Sequence, residues 1–354
     1  MQPHDDSAST RRLAWVDVAK GLCMIAVVAL WVGRQMQWEA GWINHFEAFA
    51  RPFRMPDFFL LSGLFVGAVL QRPWRSYLDT KVLHYWYFLL LWTLIIVPIS
   101  WLGGTQRPAS VPAALAELAF KLYKPEAMLW FILMLPVYFV VTRLLARVPV
   151  LLVLPLAAGL MVSQPHSGIY PLDWFAKYFV FFYAGHVVAD SVLDLAEWGR
   201  RNRVATAALL IGWAVLNHWF TTSVHAEVGS ALLVFGFLGI AAVVLMSSLL
   251  ADQGWAAGLR WLGAHSIVVY LGFYIPMMVI IRVFRRFAPQ ADVNLVATCA
   301  WAGGIAAALL IWALLRRTPL NFLYERPAWA RLVVDPKAGS TRSQPRPELA
   351  VAGR

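Results

Sequence analysis

Asp17, Lys20, Trp31 and Arg34 lie in one apolar stretch, residues 14–34, with charge confined to its two ends. Eleven residues are about three helical turns, so Lys20 and Trp31 share a face about 16 Å apart, and Arg34 follows one turn later within about 40°. One stripe therefore carries a cation at each end. Charge at membrane depth costs roughly 2.5–3.5 kcal/mol per residue on insertion scales, which favours a functional reading. The structural alternative has Lys20 and Arg34 snorkelling to opposite interfaces, with Trp31 in an aromatic belt. A second basic group, Arg75, Lys81 and His84, stands in RSYLDTKVLHYW before the third apolar run. A spacing of three puts Lys81 and His84 on one helical face, and with Lys20 they suit an anionic group such as a phosphate. The alternative there is an ordinary positive-inside loop. The opposite end offers Arg34, Glu39, His45, Glu47, Arg51, Arg54, Asp173, Lys177 and His218, from which a general base and an oxyanion donor can be drawn. Asp173 lies four residues before Lys177, a spacing suited to a helical ion pair.

Composition sets the frame for these residues. Apolar residues make up 60% of the 354 and charged ones 14%, far from a soluble globular protein. Several apolar runs reach the ~20 residues that cross a hydrocarbon core of about 30 Å. The expected fold is all-α, a polytopic membrane bundle. A net charge of +11 would point to nucleic acid in a soluble protein, but most Lys and Arg sit in short loops and the tail, so topology accounts for them and no nucleic-acid partner is expected. Cys23 and Cys299 both fall inside apolar runs. They read as packing residues, with no disulfide or metal site, and no GxxxxGK phosphate loop is present.

Ten spans are expected, at about 14–34, 56–71, 84–103, 127–146, 149–164, 171–192, 204–222, 228–250, 264–284 and 293–315. They form one transmembrane domain, 14–316, between a cytoplasmic segment 1–13 and a cytoplasmic tail 317–354. The first span has no small-residue cleavage site before or after it and reads as a retained signal-anchor. The tail is rich in Pro and Arg without periodicity and is expected to be disordered. With the N-terminus inside, inner segments hold 20 of the 30 basic residues, so both termini are placed in the cytoplasm of a bacterial inner membrane. The outer cluster Arg282, Arg285 and Arg286 runs against that rule.

Two motifs carry a family resemblance. They are Asp17-Val-Ala-Lys20-Gly21 before an apolar run, and Met55-Pro56-Asp57-Phe58-Phe59-Leu60-Leu61-Ser62-Gly63. Weaker echoes are Leu129-Trp130-Phe131, Phe181-Phe182-Tyr183-Ala184-Gly185 and Leu262-Gly263-x-x-Ser266-x-x-x-Tyr270-Leu271. As an ordered set they resemble the acyltransferase 3 family of bacterial integral-membrane enzymes. The resemblance implies transfer of an acyl group from a cytoplasmic donor, acyl-CoA, to a hydroxyl or amino group, often of a glycan beyond the membrane. Acyl-CoA is a co-substrate in this reading, and no bound cofactor is implied. It supports Lys20, Lys81 and His84 as donor-binding, Arg54 with Trp31 and His45 as the catalytic candidates, and Asp17 and Trp130 as further site candidates; Arg34 and Lys177 are added by their charge within or at the end of apolar runs.

One departure bears directly on catalysis. The family places its histidine base eleven residues after the Lys or Arg, and this chain has Trp31 there. Indole N–H only donates, so Trp31 cannot take a proton. Three functions therefore stand side by side. The chain is an acyltransferase whose base comes from elsewhere, with His45 or Glu39 nearest in sequence; a family member without catalysis that serves as a membrane binding subunit; or a transporter. Topology is testable directly: a phosphatase reporter fused at position 330 is expected to be silent, and periplasmic activity there would reverse the orientation.

Overall fold

The apolar runs form helices because each buries its backbone polar groups internally, the one solution besides a closed barrel that lipid permits. The computed structural model describes residues 6–37, 41–103 and 107–333, with side chains from Ala14 onward. Its main helices are α1 Asp6–Gln35, α2 Trp42–Ala50, α3 Arg54–Gly63, α4 His84–Gly103, α5 Val111–Tyr123, α6 Trp130–Leu144, α7 Val150–Ser163 and α8 Tyr170–Val187. There follow α9 Ala189–Arg201, α10 Arg203–Thr222, α11 Gly229–Ala251, α12 Ala257–Ala264, α13 Ser266–Gly272, α14 Tyr274–Phe287 and α15 Val293–Leu315. No strand occurs among the described residues. The protein is an all-α membrane bundle.

α1 is the central helix, 78% of its apolar window lying inside the protein, against 17% for α10. Large apolar side chains such as Leu152, Leu156, Ile211, Val215 and Leu314 point outward. A soluble protein does not expose such a surface, but lipid solvates it.

Among the described residues six helices are long and apolar enough to cross a membrane, or eight if the bent pairs α8–α9 and α13–α14 each count as one span. The expectation was ten. The two remaining segments are shorter than a standard span. Residues 54–70 break into α3 and a single turn, Gly67–Leu70, and α7 has 14 residues. Residues 54–70 nonetheless connect the two poles of the bundle. Arg54 at the start of α3 lines a cavity beside Arg34, whereas Ser62, Phe65 and Val69 line a different cavity beside Lys20. Met161, near the end of α7, lines the Arg34 cavity too.

The bundle is tied together where helices meet backbone to backbone. A Cβ on Gly63 of α3 would run into the Phe182 carbonyl of α8, and a Cβ on Gly185 would run into the Leu60 carbonyl in return. At the first helix, Gly21 faces the Leu259 carbonyl of α12, and Gly263 faces the Asp17 carbonyl. Small residues at such crossings let helices approach in a membrane, where dispersion rather than the hydrophobic effect drives association. Each of these glycines belongs to one of the motifs read above.

The segment after α15 differs from the disordered tail expected from its composition. Residues 317–333 fold back on the bundle in two short 3₁₀ turns, Pro319–Leu323 and Ala328–Ala330. Arg326 is buried and donates to Asp79 Oδ1 and to the Asp79 carbonyl, both at 2.7 Å, and the Leu332 N–H donates to the same carboxylate at 2.8 Å. Tyr87 and Trp92 donate to the carbonyls of Phe322 and Leu323. An ion pair that neutralises two buried charges overrides the polar composition. Residues 334–354 lie outside the described residues.

Arg285, from the outer cluster that opposed the charge rule, donates to the Gln35 carbonyl at the end of α1 (3.0 Å). A cation at a helix C-terminus complements its unsatisfied carbonyls and dipole.

Two stability measurements follow. Gly63→Val is expected to lower stability by at least about 1–3 kcal/mol, the usual cost of overpacking, while Gly212→Ala, where a Cβ meets nothing, stays neutral or gains slightly. Arg326→Ala, which strands a buried Asp79, is expected to cost about 3–5 kcal/mol. Thermal unfolding of the purified protein in detergent checks both.

Candidate functional site

The inner cavity, of about 310 Å³, lies at the end of the bundle where α1 begins. Lys20 from α1 and Lys81 both line it, together with Ser62, Tyr85, Ser266 and Tyr270. The Lys81 Nζ sits 5.1 Å above the Phe139 ring. His84 does not line it. Residues 79–83 form a π-helical turn, so the face kept by a spacing of three in an α-helix is rotated away. The His84 ring packs edge-on against Phe88 instead, centroids 5.2 Å apart.

A partition of aromatic rings closes the far side. Phe131 lines the inner cavity, and its neighbour Trp130 lines the outer one. Fully buried Phe59 holds both, with centroids 4.7 Å from Phe131 and 5.9 Å from Trp130. Tyr270 is fixed by donating to the Met128 carbonyl.

The outer cavity, of about 430 Å³, is lined by Arg34, Glu47, Arg51, Arg54, Lys177 and Glu227, with Trp130, Trp174 and Tyr178 as its aromatic wall. Trp130 stacks on Trp174 at 4.0 Å between centroids. Arg54 is buried and donates to Glu47 Oε1 at 3.0 Å, and Arg51 pairs with Glu227. The Nε of Arg54 and of Arg51 is buried without an acceptor. Asp173 does not pair with Lys177. Its carboxylate accepts from the Ser167 N–H and hydroxyl at 2.8 and 2.7 Å, which caps the loop before α8, and Lys177 turns towards the Trp174 and Tyr178 rings.

The residues read as catalytic separate. Arg54 is in the outer cavity. Trp31 is buried, but it turns edge-on against Tyr274 of α14, 5.7 Å between centroids, while Leu30 and Arg34 on either side of it line the cavity. His45 lies on the exposed face of α2 and lines none of these cavities. Glu39 lies outside the described residues. Asp17 is half-buried near His265, behind Lys20, at the crossing of α1 with α12. On α2 the carboxylate that reaches the outer cavity is Glu47, two residues beyond His45. On a helix that is about 200° of rotation, onto the opposite face. Ile43, Glu47 and Ala50 follow one another at helical spacing, and Ile43 and Ala50 are buried, a pattern that marks the inward face of α2.

Below Arg54, Asp57 is wholly buried and accepts a hydrogen bond from the Cys23 thiol, with its second oxygen unpartnered. This pair borders an apolar chamber of about 520 Å³ among α1, α2, α3, α10 and α11, and Arg54 lies in its wall as well. No group of His, Cys, Asp and Glu side chains suited to a metal ion occurs among the described residues.

Comparison with known proteins now decides the lineage. A family model described as an acyltransferase domain matches residues 13–317. The chain belongs to the acyltransferase 3 family. It is also 23% identical over 363 residues to the inner membrane protein YcfT of Escherichia coli K12, covering 89% of this chain and 96% of that one. No solved structure matches the chain significantly. Within this acyltransferase 3 member, then, the motif lysine Lys20 and the motif arginine Arg54 stand in separate cavities at opposite ends of α1, joined through Phe131 and Trp130.

Proposed function

We propose that this acyltransferase moves an acyl group from acyl-CoA, bound from the cytoplasm at the inner cavity, to a hydroxyl or amino group of a glycan held in the outer cavity. The observation that carries the reading is the division of labour along α1 and α3, with Lys20 and Lys81 in one cavity and Glu47 and Arg54 in the other. The inner cations suit the phosphates of CoA. The donor's thioester then reaches the outer residues through the aromatic partition.

The chemistry follows from the outer groups. Glu47, held by Arg54, takes the proton of the acceptor hydroxyl as its oxygen attacks the thioester carbonyl carbon. The negative charge that develops on the carbonyl oxygen is met by the Arg54 guanidinium, whose Nε has no other acceptor. Collapse of the intermediate breaks the C–S bond and releases the CoA thiolate, which is protonated from solvent as Glu47 gives up its proton. Glu47 thus takes the role that Trp31 cannot fill, which favours an active enzyme over a degenerate binding subunit. We place the Lys20 end, and with it both chain ends, in the cytoplasm of an inner membrane.

Two sets of variants test this. Lys20→Ala and Lys81→Ala are each expected to weaken acyl-CoA binding by roughly 1–3 kcal/mol, while His84→Ala leaves it unchanged. Isothermal titration of the purified protein with acetyl-CoA reads this directly, and unchanged affinity in both lysine variants removes the donor site. Glu47→Gln keeps a hydrogen-bond acceptor for Arg54 and is expected to lower turnover about 10²–10⁴-fold with little change in donor affinity. His45→Ala is expected to retain full rate. Full activity in Glu47→Gln would move the base elsewhere.

A further inference from the structure

The outer cavity carries more positive charge than its own carboxylates neutralise. Among the described residues four cations line it, Arg34, Arg51, Arg54 and Lys177, against two carboxylates, Glu47 and Glu227. Both carboxylates are engaged, Glu47 with Arg54 and Glu227 with Arg51. The cationic groups of Arg34 and Lys177 lie over aromatic rings instead: Arg34 is 5.0 Å from the Trp31 centroid, and Lys177 is 5.7 and 5.5 Å from those of Trp174 and Tyr178. The carboxylate nearest Lys177 in sequence, Asp173, is taken by Ser167. The buried Nε donors of Arg51 and Arg54 have no acceptor.

A concave site with surplus cations and spare guanidinium donors is built for an anion. Its walls add a second requirement. Trp130, Trp174 and Tyr178 present an aromatic wall, which suits the polarised C–H face of a hydroxyl-bearing sugar ring. An anionic group and a hydroxylated ring in one ligand describe a sugar acid or a sugar phosphate.

We propose that the acceptor is an anionic sugar, its carboxylate or phosphate held by Arg34, Arg51 and Lys177 and its ring lying against Trp174. This rests on the acyl-transfer reading only for the word acceptor; the anion site stands on the cavity itself. Such a ligand presents a ring hydroxyl towards Glu47. Neutral sugars leave the cations unanswered and bind weakly.

The test is equilibrium dialysis of the full chain in nanodiscs with radiolabelled glucose 1-phosphate, glucuronate and glucose. The two anions are expected to bind at least about tenfold more tightly than glucose, in line with a charge-assisted hydrogen bond. Lys177→Gln and Arg34→Gln are each expected to weaken the anions by about tenfold, Lys177→Arg to retain binding, and all three to leave acetyl-CoA affinity unchanged, which also shows that they are folded. Phosphatidylinositol in the same disc that displaces glucose 1-phosphate assigns a lipid-borne acceptor, and failure to displace it assigns a soluble one; either keeps the anionic class. Glucose binding as tightly as the anions, no binding of any of the three, or unchanged anion affinity in both Gln variants overturns the proposal. Loss of the acetyl-CoA site alone would instead remove the acyl-transfer reading and leave the anion site standing.

Discussion

The structure depends on two places where helices touch through their backbones. At one, Gly63 and Gly185 let α3 and α8 approach until only hydrogens fit between them; at the other, Gly21 and Gly263 do the same for α1 and α12. Lipid offers no hydrophobic reward for bringing helices together, so contact of this closeness has to come from shape. Both crossings flank the inner cavity. Lys20 immediately precedes Gly21, and Ser62 immediately precedes Gly63, so the residues that fix the helices also aim the neighbouring side chains into the space between them.

Arg54 stands where three environments meet. Its charge is paired with Glu47, its Nε is buried without an acceptor, and its body forms part of the wall of both the outer cavity and the apolar chamber beside Cys23 and Asp57. A buried guanidinium keeps its charge under nearly all conditions because its intrinsic affinity for the proton is so high. That makes it a dependable positive group at a depth where a lysine could be neutralised by desolvation.

Much of this was legible in the sequence, and the failures have physical causes. Charge at the two ends of an apolar stretch marks two separate cavities, because 1.5 Å per residue converts spacing into distance along the helix. Depth placed Lys20 and Lys81 together. Direction was harder. His84 followed the rule of three until a π-helical turn broke the rule. Nearness in sequence points to His45, but residues 42–50 form a helix, and its own apolar rhythm marks Glu47 as the inward residue. The position of Trp31 drew attention for the chemistry it lacks, yet its ring belongs to the packing against α14. For residues 317–333 composition misleads, since the Arg326–Asp79 contact that docks them is a single long-range pair and leaves no periodic trace.

That ion pair has a bearing on how the protein is made. Asp79 emerges from the ribosome and enters the bilayer some 247 residues before Arg326 exists. Until then its carboxylate sits in an unfinished helix assembly without that cation, at a cost that Arg326 relieves. The membrane helices alone therefore leave an acid in the interior, and the bundle is neutralised there only when residues 317–333 have docked against it.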